Sequence, residues 1–141
     1  MPKRIVNEED ALNQAIRMIA PGTPLREAIS MILQAGTGAV ICMGDVNRLA
    51  RLSEGGVELD AEMRPQLLYE LCKMDGAIIL DEAGKRIRYA NRFLKPNTRI
   101  PSDETGTRHR VSQRIAVQAK CTVITVSQRR ASVTIYCHGR K

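Results

Sequence analysis

The sequence is poor in aromatic residues: its 141 residues include no tryptophan, one phenylalanine and three tyrosines. Proteins that bind single-stranded DNA or RNA stack bases on aromatic side chains, so this scarcity argues against such a role. The chain also lacks any apolar stretch close to the roughly 20 residues of a membrane-spanning helix. The first 20 residues carry three acids and no apolar run with a cleavage site. We therefore expect no signal peptide, no membrane attachment and a cytoplasmic protein.

No CxxC pair occurs among the four cysteines, which are Cys42, Cys72, Cys121 and Cys137. Only two histidines accompany them, so we expect reduced thiols rather than a zinc site or a disulfide framework. The sequence also lacks a Walker loop, a dinucleotide-binding GxGxxG, a nucleophile elbow and a HExxH motif. These absences leave no common catalytic signature to follow.

Acidic residues are scarce in the second part of the chain. Residues 84–141 hold 14 basic side chains and only Asp103 and Glu104 as acids, a net charge of +12, whereas residues 1–83 have a net charge of −5. A region this basic favours an anionic partner, such as nucleotide phosphates, a nucleic acid or a membrane surface. A solvated charged face would show the same composition, so charge alone leaves both interpretations open.

The pattern of apolar residues predicts helices interleaved with strands. Helices are expected at 8–20 (capped by Asn7), 24–35, 65–73 and 107–120, and strands at 39–43, 76–80, 86–93, 121–127 and 132–137. Between 44 and 60 we expect at most a short helix and a short strand. In the strand over 86–93, alternation predicts one cationic face, formed by Arg86, Arg88 and Arg92. Because no repeat or long linker is visible, we predict an α/β fold: one three-layer domain with a central mixed β-sheet flanked by helices.

The residues at the start of the last helix form a candidate anion site. The N-terminus of a helix presents unpaired N–H groups and a positive dipole end. Gly106 allows close approach of a ligand, Thr107 adds a hydroxyl donor, and Arg108, His109 and Arg110 add cationic or donor groups. Cations at this end of a helix repel the dipole unless an anion cancels them. We therefore predict that these residues bind phosphate, with arginines exposed to solvent as the alternative.

A second candidate lies at Asp75, Gly76 and Ala77, between a helix and a strand. An acid after the C-terminus of a helix is electrostatically unfavourable unless it has another duty. Gly76 and Ala77 are small and leave room for a ligand. The carboxylate of Asp75 is suited to hold Mg²⁺ or Mn²⁺ or to orient a hydroxyl group for attack, although an aspartate of an ordinary turn would look the same.

Six segments of the chain, in order, resemble the diadenylate cyclase domain of the DNA integrity scanning (DisA) proteins. They are APGTPLREAI (20–29), TGAVI (37–41), LYELCKMDGAIIL (68–80), YANRFLKP (89–96), IPSDETGTRHR (100–110) and VITVSQRR (123–130). The DGA and RHR motifs at this separation are the most specific. The resemblance implies the condensation of two ATP molecules into cyclic di-AMP with release of two pyrophosphates. It also implies Mg²⁺ or Mn²⁺ and a homo-oligomer, with two protomers facing each other within an assembly as large as an octamer.

The resemblance assigns roles to particular residues. Asp75 is expected to organise the metal and the attacking 3′-hydroxyl group. Arg108, His109 and Arg110 are expected to act in catalysis by gripping the triphosphate. The ATP-binding residues implied are Gly76, Ala77, Leu94, Thr107, Arg108, His109, Arg110, Val111 and Ser127. Val111 stands where relatives often carry threonine, so a hydroxyl contact to the base is expected to be missing. Gln128 stands at a variable position that is acidic in many relatives.

The resemblance covers residues 1–141 as one diadenylate cyclase domain. The helical domain and the helix-hairpin-helix DNA-binding domain of DisA proteins have no counterpart in this chain, so we do not expect DNA binding through them. The alternative to a cyclase is a non-catalytic basic module that binds a nucleotide or a nucleic acid. Salt dependence separates the two, because nucleic-acid binding weakens steeply with salt.

Overall fold

The computed structural model of the protein describes residues 8–129 and 131–138, in which five helices and seven strands are found. The helices are α1 (Glu8–Met18), α2 (Pro24–Ala35), α3 (Val46–Arg51), α4 (Pro65–Leu71) and α5 (Thr107–Ala119). The strands are β1 (Ala39–Met43), β2 (Ser53–Glu54), β3 (Val57–Glu62), β4 (Ala77–Leu80), β5 (Arg86–Leu94), β6 (Thr122–Ser127) and β7 (Ser132–Cys137). The predicted cap at Asn7 lies outside the described residues. None of the described helices combines the length and the apolar character needed to span a membrane.

The strands form one mixed sheet in the order β2-β5-β4-β1-β6-β7, and β3 also pairs with β5. The central pair, β1 and β4, is parallel, and the other pairs are antiparallel. Parallel strands begin at the same edge of a sheet. Residues just before β1 and β4 are therefore neighbours in space, although more than 30 positions separate them in the chain.

The sheet is buried between two helical layers. On one face, Ile41 of β1 packs in a core with Ile29 of α2 and Leu68 of α4. On the other face, Val40 of β1 packs in a second core with Ile115 of α5. Successive residues of a strand point to opposite faces, which is why β1 (AVICM) is apolar throughout. The predicted three-layer α/β fold with a mixed central sheet is confirmed.

The ends of the helices follow local signals in the sequence. In α2, the side chain of Thr23 accepts a hydrogen bond from the backbone N–H of Arg26, and Gly36 closes the helix in the left-handed conformation. Helix α4 ends at Leu71, two residues earlier than predicted, because Lys73 and Met74 form tighter turns instead. The acid of the DGA motif therefore lies further beyond the helix than predicted.

The predicted alternation along β5 breaks directly after Ile87. Leu80 pairs with Ile87 whereas Ile79 pairs with Tyr89, which leaves Arg88 as an extra residue. Asn91 adopts a left-handed conformation (φ 53°) and the pairing with β4 shifts its register, so the strand carries a bulge. Ile87 and Ala90 therefore share one core with Ile29, whereas Tyr89 packs in the other core with Ile115. Phe93, predicted on the same face as Ile87, is 48% exposed. The predicted cationic face is neutralised in part, because Nε of Arg86 donates to the Asp60 carboxylate at 2.9 Å.

Candidate functional site

A cavity of about 590 Å³ lies where β1 and β4 begin, β5 ends and α5 begins. Its volume is within the range of small-molecule sites in proteins. Seven of the predicted site residues line it: Asp75, Gly76, Ala77, Leu94, Thr107, Arg108 and Val111. The acid of the DGA motif and the start of α5 therefore face the same space, although 32 positions separate Asp75 from Thr107 in the chain. The sheet topology brings them together.

Asp75 lies in the turn between α4 and β4, and its side chain is exposed. Within the part of the chain that the structure describes, its carboxylate has no hydrogen-bond donor and no cationic partner. A carboxylate that only closes a turn accepts a backbone N–H, as Asp81 does from Lys85 at 2.8 Å. Asp75 does not serve its own turn in this way and is available to a ligand.

Gly76 is required by the close approach of two strands. Its φ of +89° lies in the left-handed region, and a Cβ atom there would come within 2.9 Å of the carbonyl oxygen of Arg92. A side chain at this position would push β4 away from the bulge of β5. Room for a ligand is the reason that the sequence predicts for this glycine, whereas the structure shows a reason within the protein.

The first turn of α5 faces the cavity with an electropositive end. The N-cap residue is Gly106, which supplies no side-chain hydrogen bond, and the first turn contains no acid. Thr107 and Arg108 of this turn line the cavity. Because the first N–H groups of a helix have no intrahelical acceptor, this end of the cavity attracts an anion.

The three side chains of the RHR motif do not lie in one cluster. Arg108 lines the cavity, whereas His109 is 6% exposed and packs edge to face on Tyr136, with ring centroids 6.5 Å apart. Arg110 is exposed, and its Nη2 donates to the carbonyl oxygen of Thr105 at 3.4 Å. Consecutive residues of a helix point in directions about 100° apart, which is why the three side chains diverge.

Ser127 is also separated from the cavity lining. It is the last residue of β6 and is buried, whereas Gln128, the next residue, lines the cavity. Arg130 of the same turn lies outside the described residues. A turn predicted from sequence alone does not show which of its side chains points inwards, because that depends on the strand register.

Arg92 is a cavity residue that the sequence analysis took for part of a charged face. Its guanidinium donates to Ser53 Oγ at 2.8 Å and to the carbonyl oxygens of Gly55 at 2.7 Å, Ala50 at 2.9 Å and Ser53 at 3.1 Å. It also lies over the Tyr89 ring, 4.8 Å from the centroid. Arg92 therefore clamps the segment between α3 and β3 onto β5. No sequence signal indicated this, because its acceptors are mostly backbone atoms 37 to 42 residues away.

A buried chain of hydroxyl groups holds the start of α5 on the sheet. Thr125 Oγ1 of β6 donates to Ser112 Oγ, and Ser112 Oγ donates to the carbonyl oxygen of Arg108, both at 2.8 Å. Ser112 and Thr125 are both fully buried. Buried hydroxyl groups need hydrogen-bond partners, and the final acceptor of this chain is the backbone carbonyl of Arg108, whose side chain lines the cavity.

The loop before α5 is fastened by side chains of the helix itself. The backbone N–H of Asn97 donates to the Gln118 side chain at 2.8 Å, and Nε of Arg114 donates to the carbonyl oxygen of Ile100 at 2.8 Å. These bonds connect the second half of α5 to the loop. The cavity wall formed by the first turn of α5 is thus part of a well-connected unit.

Asp75, the one acid among the described residues that line the cavity, fits a metal that arrives with a phosphate ligand. Among the described residues, no group of three or more His, Cys, Asp or Glu side chains could hold a metal ion. Mg²⁺ commonly binds through one or two carboxylates together with substrate phosphates and water. Asp75 supplies one exposed carboxylate, and the start of α5 supplies a place for phosphates, so the residues present fit such a metal.

Cys72 lines the cavity but is not suited to be a nucleophile. Burial raises the pKa of its thiol from 9.0 to about 12, so the thiol stays protonated at neutral pH. Nucleophilic attack and metal binding both require the thiolate. The chemistry of this cavity therefore depends on its carboxylate and its cations.

Solved structures share this fold. A hypothetical membrane-spanning protein from Bacillus cereus superposes with a TM-score of 0.74 and 20% identity, over 94% of this chain and 69% of that one. DacA from Staphylococcus aureus, as an N166C/T172C double mutant, superposes with a TM-score of 0.67 and 20% identity, over 90% and 85% of the two chains. At this identity the likeness concerns the fold alone.

Sequence comparison finds much nearer relatives. The DNA integrity scanning protein DisA of Carboxydothermus hydrogenoformans is 48% identical over 92% of this chain, and that of Symbiobacterium thermophilum is 50% identical over 87%. The chain spans only 37% and 35% of their respective lengths. The family model described as "DisA bacterial checkpoint controller nucleotide-binding" (DAC) matches residues 26–141. The chain therefore belongs to the DAC family, the nucleotide-binding family of the DisA checkpoint controllers.

Proposed function

We propose that this chain is a diadenylate cyclase, which condenses two ATP molecules into cyclic di-AMP and releases two pyrophosphates. The single observation that carries the proposal is the cavity in which an unengaged carboxylate, Asp75, faces the positive end of α5. Membership of the DAC family supports it. In-line attack of a hydroxyl group on a phosphorus atom needs positioning and charge neutralisation more than covalent chemistry, and this cavity provides both.

Asp75 is proposed to orient the attacking 3′-hydroxyl group and to hold Mg²⁺ or Mn²⁺. When bound, the metal would neutralise phosphate charge and polarise the phosphoryl group. The exposed carboxylate of Asp75 would accept a hydrogen bond from the hydroxyl group, which directs the oxygen lone pair towards phosphorus. Gly76 and the buried Ala77 are proposed to contact the nucleotide with the backbone at the start of β4.

Thr107 and Arg108 are proposed to hold the triphosphate. The N–H groups of the first turn, the Thr107 hydroxyl and the Arg108 guanidinium are donors aimed at the same space, and charge accumulates on the leaving pyrophosphate there. Arg110 is exposed on the same turn and is proposed to reach phosphate oxygens outside the cavity lining. His109 is buried against Tyr136, so its proposed part is to fix the orientation of this turn.

The adenine base is proposed to lie against Leu94 and Val111. Both are partly buried, pack against the core that includes Ile115 and line the cavity. An apolar wall of this kind excludes water from one face of a base. Ser127 is proposed to act on the phosphates through the turn that it begins, where Gln128 lines the cavity.

A second copy of the chain is proposed to complete the reaction. One cavity places one ATP, and cyclic di-AMP contains two linkages of the same kind, so two protomers must face each other about a two-fold axis. Met74 and Phe93 line the cavity and are 39% and 48% exposed. Large apolar side chains around an opening favour its burial by a partner.

The proposal is tested by incubating the purified chain with ATP and Mn²⁺ and measuring cyclic di-AMP by mass spectrometry. Asp75→Asn is expected to lower turnover about a hundredfold or more and to leave ATP binding largely intact. Asp60→Asn is the matched control, because Asp60 is an exposed carboxylate whose partner is Arg86, outside the cavity lining. The control should retain wild-type turnover.

Two results would contradict the cyclase. ATP binding without any cyclic product, in the wild type as in Asp75→Asn, would indicate a non-catalytic nucleotide-binding module. Binding of DNA or RNA that weakens steeply with salt and ignores Asp75 would indicate a nucleic-acid module.

The face-to-face arrangement has its own test. Met74→Glu and Phe93→Glu place charges where the second copy is proposed to cover the cavity. Both should shift the chain towards the monomer in sedimentation velocity and lower turnover in proportion. A monomeric variant that cyclises ATP at the wild-type rate would exclude the arrangement.

A further inference from the structure

We infer that Gly38 is a positioning residue for Arg108, because its missing side chain provides the space in which the guanidinium lies. Gly38 comes immediately before β1 and lines the cavity. A Cβ atom on it would overlap Nη1 of Arg108 and would lie 3.0 Å from its Cζ. The inference rests on the proposed function, since it concerns the group that holds the triphosphate.

Position 38 requires glycine because a side chain would occupy the space of the Arg108 guanidinium, and not because of its backbone conformation. Gly38 is not among the glycines with positive φ, so its backbone would accept alanine without strain. A Cβ atom would also meet the carbonyl oxygen of Val126 at 3.1 Å, and that oxygen belongs to the paired strand β6. Because the strand cannot yield easily, the flexible end of Arg108 would move instead.

Contact with Gly38 determines the position of the Arg108 guanidinium. In the described ranges, no residue accepts a hydrogen bond from the Arg108 side chain or forms an ion pair with it. The backbone of Arg108 is nevertheless held, through the hydroxyl chain from Thr125 and Ser112. A fixed backbone and an unbonded side chain mean that the steric boundary at Gly38 limits where the guanidinium can lie. An alanine there would displace the charge while leaving the fold in place.

Gly38→Ala tests the inference, with ATP dissociation constants measured by calorimetry in the presence of Mg²⁺. We expect affinity to fall about tenfold in Gly38→Ala and about a hundredfold in Arg108→Ala. The double variant should equal Arg108→Ala alone, because Gly38 acts through Arg108. Losses that add in the double variant would overturn the inference and leave the cyclase proposal standing.

Gly44→Ala is the matched control. Gly44 follows the other end of β1, also lacks a positive φ, and its Cβ atom would meet Cys121 Cβ at 2.7 Å, away from Arg108. It should lower the melting temperature and leave the ATP affinity of the folded protein unchanged. An equal loss of affinity in this control would show that any crowding of β1 has the same effect, which would overturn the inference.

A measurement without nucleotide separates the inference from the proposed function. In a crystal structure of Gly38→Ala, the Arg108 guanidinium should be displaced while β1 and β6 keep their register. A guanidinium in its wild-type position would overturn the inference even if the variant loses affinity. If the wild type fails to bind ATP, the proposed function fails, and this structure still decides whether Gly38 positions Arg108.

Discussion

Two arginines line the same cavity from different elements, and their contacts differ. Arg92, on β5, is engaged by four hydrogen bonds and by the Tyr89 ring. Arg108, on α5, has no such bond within the described residues and lies against Gly38. One charge stabilises the protein and the other is available to a ligand. The number of basic residues therefore does not measure the positive charge available to a partner, because some basic side chains are engaged by hydrogen bonds within the protein.

The strongest test of this contrast compares the loss of stability and the loss of ATP affinity when each arginine is replaced by alanine. Arg92→Ala removes several charge-assisted hydrogen bonds and should lower the free energy of unfolding by about 3 kcal/mol. Arg108→Ala should change it by less than about 0.5 kcal/mol and lower ATP affinity about a hundredfold. Denaturant unfolding and calorimetry measure the two quantities. A destabilised Arg108→Ala, or an Arg92→Ala that stays stable and merely binds weakly, would reverse the assignment of duties.

Gly76→Ala tests the strand wall that carries Arg92. The left-handed backbone and the contact with the Arg92 carbonyl oxygen should together cost about 2–3 kcal/mol of stability. Gly22→Ala is the control, since its φ of +91° is similar and nothing lies within 4 Å of its Cβ position. The control should cost about 1 kcal/mol, from conformation alone. Equal losses in chemical denaturation would show that strand approach is not what requires Gly76.

Cys72 also lines the cavity, from the end of α4, and its effect on stability is expected at alkaline pH. The folded thiol holds its proton up to a pKa of about 12, whereas in the unfolded chain it ionises near 9.0. The unfolded state binds fewer protons in this window, so stability falls as pH rises from about 9 to 12. In Cys72→Ala, the loss of stability between pH 8 and pH 10 should be smaller by about 1.4 kcal/mol. Leu68→Ala, in the same core, should lower stability equally at both pH values.

The smallest expected effect concerns the hydroxyl chain behind the helix wall. Ser112→Ala leaves the Thr125 hydroxyl group buried without its acceptor and should cost about 1 kcal/mol. Thr125→Val removes the donor and leaves Ser112 bonded to Arg108, so it should cost about half as much. Thermal unfolding compares the two. Equal losses would indicate that the direction of donation is different from the one described here.

Much of the fold was predictable because its signals are local. Thr23, Pro24 and Gly36 delimit α2, and the apolar runs of β1 and β4 identify buried strands. The bulge of β5 was not predictable, because the left-handed Asn91 depends on pairing with β4. Periodicity alone therefore placed Phe93 on the wrong face.

The site was predictable in part. The residue types of the RHR motif indicated anion binding, and the acid of the DGA motif indicated a metal or an attacking hydroxyl group. The three RHR side chains were expected to act together. The structure brings Asp75 and Arg108 to one cavity but turns His109 towards Tyr136. The roles of Arg92 and Gly38 could not be predicted from the sequence, because each depends on contacts with residues far away in the chain.

By itself, the sequence determined which residue types were available: an acid in a turn, a helix start without acids, and apolar segments of the length of strands and helices. These follow from propensities and periodicities that act within about ten residues. Only the tertiary structure decided which of these groups meet, because the parallel pairing of β1 and β4 brings distant segments to one edge of the sheet. It also decided which charges remain free, since that depends on the carbonyl and hydroxyl groups that packing brings within reach.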